Sequence, residues 1–157
     1  MKELTCCFTG HRMIPANEYA EIQNRLNAEL VELVRQGVQY FCTGGALGFD
    51  TIAALTILKL KQTFSHIHLI LVLPCKDQTN GWSEKDKRIY NQIRDEADKI
   101  TYTSEFYHKG CMHRRNRHLV DNSGICVCYL KQSIGGTAYT ADYACKKKLH
   151  IINIAQQ

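Results

Sequence analysis

The chain has 157 residues, of which 45% are hydrophobic and only two are proline, and it contains no repeat or low-complexity tract; this fits one domain over residues 1–157 and excludes a disordered or linker-built organisation. The formal charge of +5 is modest and local, at Arg114, Arg115 and Arg117 and at Lys146 to Lys148, enough to attract a phosphorylated ligand but weak ground for a nucleic-acid partner. No apolar stretch has the length of a leader or membrane helix, so a cytoplasmic protein without a membrane partner is expected.

Residues 4–8 form the first apolar run and read as a strand, with Thr9-Gly10-His11-Arg12 as the loop leaving its carboxyl end. Open parallel sheets bind ligands at that end. There Arg12 reaches a phosphate or stands as a solvated charge, and Thr9 donates through its hydroxyl or backbone. Over residues 17–35, Tyr19, Ile22, Leu26, Leu30, Leu33 and Val34 mark one helical face, and Gly37 fits the position just past its end.

The run 38–42 reads as a buried strand that feeds Gly44, Gly45, Gly48 and Asp50 and then a helix over 51–61. Glycines let a backbone approach a ligand without a Cβ in the way, and a helix start offers unpaired N–H groups and the positive end of its dipole. The same glycines also suit a tight strand-to-helix connection with no ligand. Residues 67–73 are almost continuously apolar, as in a strand covered on both faces, and end at Pro74. In the loop over 76–84, Gln78 and Trp82 stand beside the expected site; Trp82 either stacks on a base or anchors the loop on the core. Ser83 is an N-cap for a helix over 84–97, and 100–103 gives a short strand.

His108, Cys111 and His113 lie close together, but no paired Cys-x-x-Cys completes a zinc site, and no metal is expected. A helix over 112–122 carries basic residues on its first turns. They oppose the helix dipole and call for a phosphate or carboxylate, unless they form a solvated face. The run 124–130 is another buried strand, with Cys126 and Cys128 on one side of it. Like Cys6, Cys7 and Cys42, they are expected as reduced, buried thiols rather than a disulfide framework. Ser133, Ile134, Gly135, Gly136 and Thr137 make a second glycine turn, followed by a helix over 138–147 and a strand over 149–154. Two such turns aim two helix amino ends at one crevice and favour a nucleotide-like ligand with more than one polar end.

Five motifs occur in order: Cys7-Phe8-Thr9-Gly10-His11-Arg12, Gly45-Ala46-Leu47-Gly48-Phe49-Asp50, Pro74 with Gln78 and Trp82, Arg115-Asn116 with Val120-Asp121, and Gly135-Gly136-Thr137 with Thr140. Together they resemble the YpsA-like branch of the SLOG superfamily, the Rossmann-like proteins that include DNA-processing protein A and the LOG, or lysine decarboxylase-like, phosphoribohydrolases. The resemblance implies a single α/β, Rossmann-like three-layer domain with a mainly parallel sheet and helices on both faces. It also implies a nucleotide-like ligand above the carboxyl edge of the sheet, between the glycine loops, and no required cofactor. Relatives in the superfamily often pair through helices, which makes a homodimer an expectation of the resemblance.

The ligand-binding set expected on this basis is Thr9, Gly10, Arg12, Gly44, Gly45, Gly48, Asp50, Pro74, Gln78, Trp82, Arg115, Asn116, Gly135, Gly136, Thr137 and Thr140. The leading function is a ligand-binding sensor or regulatory module. The LOG enzymes, which this chain resembles, cleave the N-glycosidic bond of nucleoside monophosphates with an arginine and a Pro-Gly-Gly-x-Gly-Thr-x-x-Glu loop. Here Ile134, Ala138, Tyr139 and Asp142 replace four of those loop residues. A glycosidase on this chain would need Asp50 or Asp142 as its carboxylate, with Arg115 on the phosphate. Single-stranded DNA binding ranks behind both, because the chain lacks a basic stripe interleaved with aromatics.

Overall fold

Alternation along the first strand divides the core in two. In β1 (Thr5–Gly10), Cys6 and Phe8 point to one side of the sheet, while Cys7 points to the other with Cys42, Cys126 and Cys128. Both sides are packed by helices, so the strands read as unbroken apolar runs rather than alternating ones. The computed structural model describes residues 1–155.

The other strands are β2 (Tyr40–Thr43), β3 (His68–Leu73), β4 (Lys99–Tyr102), β5 (Ile125–Tyr129) and β6 (His150–Asn153). All pairings are parallel, in the order β4-β3-β2-β1-β5-β6. One side carries α1 (Tyr19–Arg35), α2 (Phe49–Leu60) and α3 (Glu84–Glu96), whose Leu26, Leu30, Ile52, Ile57 and Ile93 pack with Phe8, Phe41 and Leu71. The other carries α4 (Cys111–Asp121) and α5 (Gly136–Lys146), whose Leu119, Val120 and Ala144 close over the second thiol-rich cluster. The domain is therefore Rossmann-like and three-layered, and its sheet is wholly parallel. All eight cysteines are free, and only Cys145 is exposed. Among the described residues no helix is long and apolar enough to cross a membrane.

Several boundaries differ from the sequence expectation, each for a local reason. β1 does not stop at residue 8: Thr9 and Gly10 belong to the strand, because Thr9 pairs with Cys128 and Gly10 with Tyr129. Helices α2 and α5 each begin two residues earlier than expected, at Phe49 and Gly136. Their N-caps, Gly48 (φ 77°) and Gly135 (φ 104°), make the turn in a single residue, so helix follows at once. At α3 the cap is conventional, with Ser83 Oγ accepting from the Asp86 N–H at 3.1 Å.

From β1 the chain builds outward to β4, then returns to place β5 on the other side of β1. Strand order thus reverses between β1 and β5, and connections leaving their carboxyl ends diverge. In open α/β sheets the crevice at such a reversal is where ligands are held.

Candidate functional site

A cleft of about 310 Å³ opens at that reversal. Thr9 and Gly10 line it from the end of β1, His11 and Arg12 from the loop after it, Ala46 from the β2–α2 connection, Asp50 from α2, Met112, Arg115 and Asn116 from α4, and Gln132, Ile134 and Gly135 from the β5–α5 connection with Gly136 and Thr137 at the start of α5. Residues 46 and 136, ninety positions apart, therefore face one space. The parallel sheet is responsible, since it brings every strand's carboxyl end to the same edge.

The floor holds two buried ionisable groups. Arg115 is only 4% exposed, and no carboxylate lies within 4.0 Å of it among the described residues. Its guanidinium donates to the Gly44 carbonyl through Nη1 and to Asn116 Oδ1 through Nε at 2.7 Å, while Nη2 lies 3.9 Å from Met112 Sδ. A guanidinium so enclosed keeps its geometry without a direct ion pair; burial lowers its pKa, and the nearby Asp50 charge acts to raise it. Asp50 is 6% exposed and accepts from the Ala46 N–H at 3.2 Å. Burial pushes its carboxyl above the usual range, while the positive charges of Arg115 and Arg12 and the backbone N–H bonds pull it back.

The two glycine turns look alike in sequence and differ in the fold. In the first, a Cβ on Gly44 would lie 2.4 Å from Arg115 Nη1, and one on Gly48 would lie 2.3 Å from the Arg12 carbonyl oxygen. The Phe49 N–H, first on α2, already donates to the His11 carbonyl at 3.1 Å. This loop is closed by packing. In the second, a Cβ on Gly135 or Gly136 would meet nothing within 4 Å, and α5 has no side-chain cap. Its amino end faces the cleft with unclaimed donors.

Of the residues expected to bind ligand, Thr9, Gly10, Arg12, Asp50, Arg115, Asn116, Gly135, Gly136 and Thr137 meet at the cleft. The others lie behind or beside it. Gly44 supplies its carbonyl to Arg115 and Gln78, and Gly45 packs on Leu73 and Gln78. Pro74 is buried just after β3. Gln78 is a brace: Nε2 donates to the Gly44 carbonyl and Oε1 accepts from the Tyr90 hydroxyl, both at 3.3 Å. Trp82 stands edge-on to Tyr90, ring centres 5.5 Å apart, over a second cavity of only about 30 Å³. Thr140 turns its hydroxyl back to the Gly136 carbonyl at 2.8 Å. Asp142 is exposed, 3.1 Å from Lys146 Nζ, and lines a neighbouring depression that shares Ile134 and Gly135 with the cleft rim.

His11, Met112, Gln132 and Ile134 line the cleft without having been expected there. His11 had a sequence signal, since it lies between Gly10 and Arg12 in the motif after β1. Its Nε2 accepts from the Lys131 N–H at 2.9 Å, which ties the β5–α5 connection to the end of β1, and burial and Lys131 lower its pKa.

Comparison with known proteins places this geometry in context. The family model YpsA, described as the YspA SLOG family, matches residues 7–155. The UPF0398 protein BH1768 of Halalkalibacterium halodurans is 30% identical over 130 residues, covering 81% of this chain and 69% of its own. The SPbeta prophage-derived protein YoqJ of Bacillus subtilis is 30% identical over 142 residues, covering 82% and 83% respectively. Among solved structures, DNA processing protein A from Helicobacter pylori, described for its single-stranded DNA binding mode, superposes with a TM-score of 0.68 at 22% identity. The match takes in 96% of this chain and 64% of that one. The Streptococcus pneumoniae protein of the same name gives 0.68 at 15% identity, with 96% and 50% covered. At these identities the likeness is one of fold, and this chain spans about half to two thirds of their length.

Proposed function

Because the chain belongs to the YspA SLOG family, we propose that it is a sensor or regulatory module that binds a nucleotide or nucleotide derivative in the cleft between the ends of β1 and β5. The observation that carries this reading is Arg115, a buried cation on the cleft floor with no carboxylate in ion-pair range. Burying such a group without a direct ion pair is costly, and a phosphate would supply one in the bidentate geometry that guanidinium favours. Arg12 adds a second, exposed guanidinium, and the start of α5 adds backbone donors.

The test is a thermal-shift and calorimetry panel of nucleoside mono- and diphosphates, ADP-ribose, dinucleotides and an oligothymidylate, on the wild type and on Arg12→Ala. Arg12 has one weak contact, 4.0 Å to Met112 Sδ, so its removal should leave the unliganded melting point unchanged. Expected is stabilisation by at least one small nucleotide, weakened in Arg12→Ala. No shift with any nucleotide at millimolar concentration would overturn the reading. Binding of the oligothymidylate alone, with steep salt dependence, would replace it with a nucleic-acid module.

A second reading rests on Asp50. Among the described residues it is the only carboxylate lining the cleft, it is buried near Arg115, and its pKa is raised. Such a group suits acid–base work on a glycosidic bond. Release of free base from AMP, abolished in Asp50→Asn, would establish it. Asp142, turned out of the cleft and paired with Lys146, has no part in that reading.

A further inference from the structure

We infer that Met112 is an oxidation site: a peroxide converts its thioether to the sulfoxide, which puts an acceptor oxygen between Arg12 and Arg115 and closes the cleft to anions. The effect on binding rests on the nucleotide reading above; the modification itself does not. Met112 stands in the first turn of α4 and lines the cleft, half-buried. Its Sδ lies 4.0 Å from Arg12 Nη2 and 3.9 Å from Arg115 Nη2. One sulfur is thus shared by both guanidiniums that line the cleft.

A thioether is a weak acceptor, whereas guanidinium N–H groups are strong donors that bond best to oxygen. The two nitrogens facing Sδ therefore gain little from it, and the like charges on either side repel: Arg12 acts to lower the Arg115 pKa. Oxidation replaces the acceptor and keeps the place. The sulfur lone pair attacks hydrogen peroxide, the O–O bond breaks, an S–O bond forms and water leaves; sulfur is oxidised and the peroxide reduced by the same electron pair. The rotatable side chain lets the new oxygen turn toward both nitrogens and come within hydrogen-bond range of them. It then takes the donors that a phosphate needs. An anion seated on the two guanidiniums covers Sδ in turn, so a bound ligand protects the methionine.

The rest of the molecule singles out this sulfur. Among the described residues Met112 is the only sulfur-bearing residue lining the cleft. Met1 and Met13 are exposed and lie outside it. Every cysteine but Cys145 is buried, and burial pushes the Cys75 and Cys128 thiols up to about 11 and Cys42 up to about 12, which keeps them from the reactive thiolate form near neutrality. A sulfoxide inside a packed core disrupts it. Met112 belongs to neither apolar cluster of the core among the described residues, so the fold tolerates the added oxygen.

The full chain, Met112→Leu and Met112→Gln are compared before and after hydrogen peroxide by peptide mass mapping, scanning fluorimetry and calorimetric titration with inorganic phosphate and AMP. In the wild type Met112 should gain one oxygen, the melting point should rise by a few degrees as the two guanidiniums gain an acceptor, and affinity should fall tenfold or more. Met112→Leu carries the same oxidised Met1, Met13 and Cys145 and should keep its affinity. Met112→Gln, with an amide oxygen on the atom in the place of Sδ, should bind weakly without peroxide. Methionine sulfoxide reductase should restore the oxidised wild type, and AMP present during treatment should spare Met112 and not Met13. A Met112 that stays unoxidised while Met1 and Met13 react, or that oxidises with no loss of affinity, would overturn the proposal. If neither probe binds the untreated protein, the effect on binding falls with the reading beneath it, and the melting point decides the site: a rise relative to treated Met112→Leu sustains it, and no rise or a fall overturns it.

Discussion

Replacing Gly136 by aspartate separates binding from folding. Gly136 is the first residue of α5, its φ is not positive, and an added Cβ would meet nothing within 4 Å. A carboxylate in the first turn of a helix stabilises it by about 0.3–1 kcal/mol through the dipole. Removing a glycine from a compatible position adds about 0.4–1 kcal/mol by restricting the unfolded chain. At about 2–4 °C per kcal/mol for a domain of this size, the melting point should rise by a few degrees. The same carboxylate would sit where the phosphate is expected. At about 5 Å and an effective dielectric constant of about 20, each unit of like charge costs about 3 kcal/mol. That is more than a hundredfold in affinity. The assays are differential scanning fluorimetry of the unliganded protein and calorimetric titration with the nucleotide that binds the wild type best. A folded Gly136→Asp protein that retains its affinity would refute the seat at α5, and a lowered melting point would refute the claim that the loop there is open.

Three further outcomes follow from the geometry. Gly48 and Gly135 both have positive φ, so alanine at either should cost about 1–2 kcal/mol in backbone strain. Gly48→Ala should lose about 1–3 kcal/mol more in urea melts, because its Cβ falls 2.3 Å from the Arg12 carbonyl oxygen, whereas Gly135→Ala meets open space; equal losses would contradict the packing described. Burial raises the Asp50 carboxyl in the folded state, so this residue favours folding below the unfolded value near 3.9 and the contribution disappears as pH rises through the folded value. Asp50→Asn should therefore stabilise the protein at pH 7 and do so less at pH 4, while weakening nucleotide binding; a less stable variant at pH 7 would count against it. Thr43 Oγ is buried without a hydrogen-bond partner, so Thr43→Val should match or exceed wild-type stability by up to about 1 kcal/mol in the same melts. A loss beyond that size would mean the hydroxyl has a partner after all.

The order and type of the elements were legible in the chain because the packing is two-sided. Strands covered on both faces, such as His68–Leu73, become runs of Leu, Ile and Val, and α1 shows its single buried stripe as Ile22, Leu26, Leu30 and Leu33. Helix starts at Ser83 could be read from a capping side chain. Those at Gly48 and Gly135 could not, because a glycine cap leaves no side-chain signature, and both helices begin two residues early. Gln78 and Trp82 carry polar and aromatic groups that suit a ligand equally well. Contacts with Gly44 and Tyr90, made across the fold, are what turn them into braces.

The amino-acid sequence by itself determined a parallel Rossmann-like sheet, its family, and the segments that come near its carboxyl edge, since apolar period and glycine placement are local properties of the chain. Only the tertiary structure decided that one glycine turn is closed and the other open, that Arg115 is buried without a direct ion pair, and that Asp50 faces the cleft while Asp142 does not. A donor at a helix start is free or taken according to which distant segment lies against it, here the His11 carbonyl at α2 and none at α5. That depends on how the layers stack, which nothing in the spacing of glycines encodes.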